Sequence, residues 1–400
     1  MNCLKKKINF KVVLTTAILS CAVTTAVLMY FMTWRLGGRD SIDAVLKYAD
    51  VQSIISNEYI GDLDPQLTDY YVYNGMVEAL NDRWSYYMNA EEYERYEQYT
   101  LNQYMGIGVT ISTDHDTGLQ RIMTVTPDSP AHAAGVLVNQ LMVKIDDIEL
   151  TDMSTDEVRN LIRESYGDAF TLTLQNEDGS QVELEISSEI IYSEPVTGEL
   201  LDGGVGYIKI KNFEENCAYE FEQTVNGLID EGAKGFVFDL RSNPGGQVRQ
   251  LVKMLDLLLP EGDLFIMSNN KKVETVETSD DYCIDMPMTV LVNSDSYSAA
   301  EFFAAALSEY DWAKVVGEQT TGKGRAQITI PLSDGSAVHI SSDVYLTPKR
   351  VDLSEAGGIT PDFPVELDEE KRLQFSYGTL GYEDDPQLIE AVNQLKLQNR

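Results

Sequence analysis

From Val12 to Trp34 the chain runs without a charged residue. A run of that length crosses the hydrocarbon core of a bilayer as one helix, which takes about 20 residues. Lys5, Lys6, Lys7 and Lys11 precede it, and basic residues on one flank favour the cytoplasmic side. Residues 1–11 are therefore predicted to be cytoplasmic, residues 12–34 a single transmembrane anchor, and the bulk of the chain extracytoplasmic. A cleaved signal peptide shares the basic start, but its apolar core is usually about 7–15 residues and ends at a small-x-small site before a polar mature start. Ile18-Leu19-Ser20-Cys21 has the form of a lipoprotein site, yet uncharged, largely apolar sequence continues well past Cys21. The uncleaved anchor is the reading these features favour.

Charge divides sharply at the end of this segment. The first 39 residues hold six of the 30 Lys and Arg and none of the 65 Asp and Glu. The remainder is strongly acidic, which argues against nucleic acid as a partner because phosphates would be repelled. Solubility outside the cell is the simplest account of that charge. Cys217 and Cys283 are the only cysteines beyond the N-terminal segment. They could pair in an oxidising compartment, but two cysteines make no disulfide framework. No Cys, His and carboxylate spacing suggests a metal site, and no cofactor is implied.

The rest is too long for one ordinary core, so more than one domain is expected. Residues 40–98 show apolar positions at helical spacing and read as helical. From residue 99 the period changes. "YMGIGVTIST" and "LQRIMTVTP" alternate as strands, "DSPAHAAGV" is a capped short helix, "STDEVRNLIRES" is amphipathic, and a hairpin turns at Asp178-Gly179. A β-rich module over 99–189 fits this order. Beyond it, strands such as "KGFVFDL" and "PMTVLVNS" alternate with helices, implying an α/β layer over 190–369. "DPQLIEAVNQLKL" is an amphipathic stretch in a helical tail, 370–400, suited to packing on its own core or to assembly.

"SYSAAEFF", residues 296–303, poses the functional question. Ser298 and Glu301 have capping-box spacing, and a serine at a helix start is also where a hydrolase can hold a nucleophile beside backbone N–H groups. A base is then needed. His115 lies in a polar turn, His132 on the short helix and His339 on an alternating strand, none with a relay-like neighbourhood. Ser268 and Lys271 sit in a polar turn-like stretch rather than at the head of an apolar helix. Lys323, in "EQTTGKGRAQ", stands between two glycines directly after a strand.

Two resemblances gather these motifs. Gly106-Ile107-Gly108-Val109, followed by "SPAHAAG", resembles the carboxylate-binding loop and helix start of bacterial PDZ domains. Glycines there let successive N–H groups turn toward a terminal carboxylate while a strand edge pairs with the peptide. Asn139-Gln140 and Asp146-Asp147 depart from the usual turns of that family.

Ser298-Ala299-Ala300-Glu301, Gly322-Lys323-Gly324-Arg325-Ala326-Gln327, "FDLRSNPGG" and "GGITPD" together resemble the C-terminal processing peptidases, the tail-specific serine proteases. Ala300 stands where that family commonly has a serine, and Tyr297 where it often has a small residue. The resemblance implies an α/β, crotonase/ClpP-like protease core of mixed sheet and helix, an inserted PDZ domain, and helical segments at both ends. It implies Ser298 as nucleophile, Lys323 as general base and Gln327 as the residue holding the lysine amine. Backbone N–H groups of Ala299, Gly245 and Gly246 would form the oxyanion hole. Gly106, Ile107, Gly108 and Val109 would hold a peptide C-terminus. The expected partners are proteins or peptides with exposed C-termini, with a homodimer and an activating adaptor as further partners. The alternative is a catalytically silent PDZ scaffold on the same fold. For Lys323 to act as a base its pKa must fall from ~10.4 toward ~7–8, most simply by burial.

Overall fold

The computed structural model describes residues 10–35 and 39–398, so most of the expected cytoplasmic segment 1–11 lies outside the described residues. The chain forms two compact units, residues 1–73 and 74–400. In the first, an apolar helix covers Phe10–Arg35, and Val13–Phe31 within it is long and apolar enough to cross a membrane. A second helix, Arg39–Glu58, meets the start of the helix Pro65–Glu78 through a hydrogen bond from the Tyr48 hydroxyl to Asp69 at 2.8 Å.

The second unit is built on a six-stranded sheet in the order Val196–Leu201, Val205–Ile210, Gly235–Asp239, Met288–Val292, Ala313–Gly317, Phe363–Pro364. Its first pair is antiparallel and the others are parallel. Side chains alternate across the sheet, as the two-residue period of a strand requires. Phe236, Phe238, Val290, Val292 and Val315 pack with residues of the helices Cys217–Glu231, Val248–Leu258 and Ala299–Glu309. Val237, Leu291 and Val316 pack instead with Leu388, Ala391 and Leu395 of the helix Pro386–Gln398. The tail helix thus covers the opposite sheet face, the packing role of the two foreseen for it.

A second sheet carries the hairpin Arg325–Pro331 and Ala337–Leu346, which continues through Gly262–Asn269 to Glu274–Ser279. Its far edge is Tyr86–Met88, paired with Ala337–His339. That strand corrects the reading of 40–98 as helical throughout. Its aromatic side chains suit a sheet, and its partner lies some 250 residues away.

The β-rich module has its own core of Ile122, Met142, Leu172 and Leu174, closed by Val158 and Ile162 of the helix Thr155–Glu164. Its sheet runs Val109–Thr113, Gln120–Val125, Leu141–Ile145, Ala169–Gln175, Gln181–Ser187, which leaves Val109–Thr113 at an edge. A two-stranded ribbon, Gln103–Gly106 with Glu189–Tyr192, carries the chain in and out. Cys217 and Cys283 are free thiols, and Cys217 Sγ donates to the Asn212 carbonyl at 3.0 Å.

Candidate active site

The parallel strand Met288–Val292 delivers the chain to a short loop ending at Ser298, which is the N-cap of Ala299–Glu309. Ser298 has φ 57° and ψ −127°, a conformation rare for a residue with a side chain and worth on the order of 1–3 kcal/mol of strain. Such strain persists only where surrounding bonds over-determine it, and here they do. Ser298 N–H donates to Glu301 Oε2 at 3.0 Å. The Ser298 side chain faces the Glu301 N–H as in a capping box but closes no hydrogen bond to it; that N–H donates to the Ser298 carbonyl at 2.9 Å. The backbone and Glu301 therefore hold the helix start.

Glu301 does more than cap. It is fully buried, and its Oε1 accepts from the Thr320 hydroxyl at 2.5 Å and the Gly322 N–H at 2.7 Å. Its Oε2 also accepts from the Lys323 N–H at 2.8 Å. One carboxylate thus ties the Ser298 loop to the Gly322-Lys323-Gly324 loop. The sequence signalled Glu301 only as a capping partner, although a glutamate inside the apolar run "AAEFFAAAL" was itself a sign of a committed polar role.

The lysine lies half-buried beside aromatic rings. Lys323 Nζ is 4.6 Å from the Trp84 ring centroid and 5.6 Å from that of Tyr297. Burial pushes its pKa down to about 8, opposed by the carboxylates of Asp82, Glu301 and Glu214 and assisted by Arg83. Gln327 Nε2 donates to the Arg325 carbonyl and the Ser341 hydroxyl, both at 3.1 Å.

The third loop is the turn after Gly235–Asp239. Asn243 is fully buried; its Nδ2 donates to the Ile210 carbonyl at 2.8 Å, and its own carbonyl accepts the Tyr297 N–H at 3.1 Å. Asn243 Oδ1 accepts the Gly245 N–H at 2.8 Å. That bond corrects one expectation: the Gly245 N–H is already committed and is not a free oxyanion donor. The N–H groups of Gly246 and Ala299 have no partner among the described residues. Gly245 serves by its smallness, since at φ +88° a Cβ would stand 2.7 Å from Ser298 Cβ and 2.8 Å from Ala299 N.

Ser298, Lys323, Gln327, Gly245 and Gly246 all line one cavity of about 570 Å³. Its wall also holds tyrosines 86, 96, 99, 297 and 345, with Glu214 and His339. His339, placed from sequence on an alternating strand, stacks on Tyr86 at 4.7 Å, and its Nδ1 lies 2.8 Å from Thr329 Oγ1. Burial, with the charge of Lys323, pushes its pKa down to about 4. It is neutral at pH 7, and among the described residues no carboxylate hydrogen-bonds to it.

In the β-rich module, the Ile107 carbonyl accepts the Ala131 N–H and the Gly108 carbonyl accepts the Thr126 N–H, both at 2.8 Å. The carbonyls of the loop are thus tied inward, while the N–H groups of Ile107 and Gly108 have no partner among the described residues. Gly108, at φ +85°, passes so close to Ser129 that no side chain fits. Gly106 pairs with Glu189 in the ribbon, and Val109 begins the exposed-edge strand, pairing on one side with Val125. The helix Thr155–Glu164 lies against the edge strand Val109–Thr113. Among the described residues no cluster of potential metal ligands occurs.

Residues 204–365 match the model of peptidase family S41, and residues 121–176 match a PDZ domain. The chain is a serine peptidase that carries an S41-type peptidase domain and a PDZ domain. Among relatives of this peptidase, the carboxy-terminal processing protease CtpA of Bacillus subtilis (strain 168) is 29% identical over 375 residues, 92% of this chain and 78% of that protein. A CtpA-like serine protease of Staphylococcus aureus (strain COL) is 29% identical over 397 residues, 97% and 79% of the two chains. The fold of the peptidase resembles an S41 protease structure from Bacteroides fragilis (TM-score 0.59, 17% identity, covering 86% of this chain and 92% of that one). It also resembles the photosystem II D1 C-terminal processing protease (TM-score 0.50, 24% identity, 85% and 92%).

Proposed function

We propose that this peptidase cleaves extracytoplasmic proteins near their C-termini through a Ser298–Lys323 dyad. Neutral Lys323 takes the proton of the Ser298 hydroxyl as that oxygen attacks the scissile carbonyl. The N–H groups of Gly246 and Ala299 meet the developing oxyanion, where one donor typically contributes ~3–4 kcal/mol. The protonated lysine returns its proton to the leaving amine, and water then hydrolyses the acyl-serine. Gln327, its amide anchored on Arg325 and Ser341, keeps Oε1 available to the lysine amine. The observation that carries the reading is a serine of strained backbone sharing one cavity with a lysine whose pKa is about 8.

Around this dyad, residues 99–189 act as the PDZ domain, with Gly106, Ile107, Gly108 and Val109 receiving the substrate's terminal carboxylate and its following strand edge pairing with the tail. Residues 190–369 form the catalytic core and 370–400 its tail, and the apolar helix anchors the whole to the membrane with its catalytic part outside. The test is the full chain in detergent micelles, wild type and Ser298→Ala, incubated with an unfolded protein ending in apolar residues. Mass spectrometry should find fragments with wild type only. Equal cleavage by both proteins would overturn the assignment of Ser298, and tail binding without cleavage by either would favour a silent scaffold.

A further inference from the structure

Glu214 occupies an unusual position for a carboxylate. It is only 6% exposed, yet it lines the same cavity as Ser298, Lys323 and Gly246. Its backbone is pinned, the N–H donating to Asn212 Oδ1 at 2.9 Å, and Phe213 beside it bridges to Gly246. Its Oε2 accepts one hydrogen bond, from Gln247 Nε2 at 3.1 Å. Among the described residues no Lys, Arg or His forms an ion pair with it; the neighbouring Arg249 is paired with Glu215 instead. Buried carboxylates are normally paired or heavily hydrogen-bonded, because desolvation of the charge is costly. This one is left with acceptor capacity facing a void.

We propose that Glu214 determines specificity, selecting substrates whose side chain beside the scissile bond carries a cationic head, lysine or arginine. The inference rests on the Ser298–Lys323 reading for where the scissile bond lies. The cavity is large enough for such a side chain. Tyr96 and Tyr99, which share the lining and feel the Glu214 charge, offer aromatic walls along which an aliphatic stem can pack while its head reaches the carboxylate. Burial pushes the Glu214 carboxyl up to about 7, so an arriving cation draws it into the ionised form. The ionised Glu214 favours the Lys323 ammonium while the cation's charge opposes it, so the pair acts on substrate choice rather than on the base. The acidic excess of the chain favours the encounter.

The experiment is a peptide panel with one common C-terminal tail and a single varied residue: lysine, arginine, glutamine, norleucine or glutamate. Full-length enzyme in micelles is assayed for kcat/KM, with cut sites read by mass spectrometry. Lysine and arginine peptides should exceed norleucine by about tenfold or more, with glutamate poorest. In Glu214→Gln the lysine-to-norleucine ratio should fall to near one, a ratio that general loss of activity does not move; Glu214→Asp should keep part of it. Equal wild-type rates for lysine and norleucine, or an unchanged ratio in Glu214→Gln, would overturn the proposal. If the dyad reading itself fails, Ser298→Ala cuts like wild type or nothing is cut. Affinities of the same peptides for Ser298→Ala then decide the question: a lysine preference lost on adding Glu214→Gln supports it, and equal affinities sink it.

Discussion

Lys323 sits between opposing influences, and the pH dependence of the peptidase should report their balance. Burial disfavours its ammonium and outweighs the three carboxylates that favour it, leaving the pKa at about 8 rather than 10.5. In the proposed dyad the amine must be neutral to act, so kcat/KM should rise roughly tenfold per pH unit below about 8 and level off above it. Replacing Asp82, the first of the carboxylates that favour the cation, by asparagine removes a stabilising charge. The midpoint of the Asp82→Asn profile should therefore move to lower pH; a move upward would mean that the rate follows another group. Lys323→Arg should lose at least about 10³ in kcat while keeping the fold, because a guanidinium does not deprotonate in this range. Since His339 is pushed to about 4 while Glu214 stands at about 7, an inflection near 6.5 should vanish in Glu214→Gln, and one that survives there would make the imidazole the base.

At the scale of elements, the geometry of the proposed dyad depends on three loop ends meeting: the turn 240–246, the Ser298 helix start and the Lys323 loop. Gly245→Ala places a Cβ 2.7 Å from Ser298 Cβ in a backbone of φ +88°, forcing the turn away from the helix. We expect kcat to drop by at least about 10² with far-UV circular dichroism preserved; near-normal turnover would show that the turn is dispensable. Glu301→Gln puts an amide among four donors and should cost about 2–3 kcal/mol in denaturant titrations as well as activity; an unchanged midpoint would mean that the bridge is unimportant. Much of this was legible in the chain. The helix after Ser298, the hairpin 325–346 and the β-rich module announce themselves by period and turn residues, which are local signals. What was not legible is what distant segments do to each other. Ser85 Oγ accepts the Ser341 N–H across 256 positions, and that pairing turns Tyr86–Met88 into an edge strand. The four-way role of Glu301, the committed N–H of Gly245 and the arrival of Glu214 and His339 in the cavity arise in the same way, from contacts that no periodicity records.

At the scale of the second unit, the turn 240–246, proposed to carry an oxyanion donor, is fastened to the C-terminal helix through a buried ionic network. Arg241, four residues before Gly245, donates to Asp239 Oδ2 at 2.7 Å and to Asp385 Oδ2 at 2.7 Å, with Gln387 Oε1 at 2.9 Å. The Tyr207 hydroxyl donates to Asp239 Oδ2 at 2.6 Å, and Lys209 Nζ lies 3.3 Å from Asp239 Oδ1. Phe375 covers the guanidinium at 4.4 Å. A network of this kind adds little as a whole relative to an apolar core, but removing one member strands buried charge and costs about 3–5 kcal/mol. Asp385→Ala should lose that amount in urea titrations followed by tryptophan fluorescence. It should also lower kcat, because the turn carrying Gly246 loses its anchor. The pH response follows from Asp239, whose carboxyl is held far below the usual range because the charges of Arg241 and Lys209 outweigh its desolvation. A depressed folded-state pKa contributes stability that is fully present above the unfolded value of ~3.9 and disappears as pH falls below it. Wild type should therefore hold its urea midpoint, as far as this group is concerned, from pH 7 down to about 5 and lose it steeply below 4. An Asp385→Ala protein with wild-type midpoint and wild-type kcat would mean that the helix Pro386–Gln398 is held by its apolar face alone, with the catalytic turn independent of it.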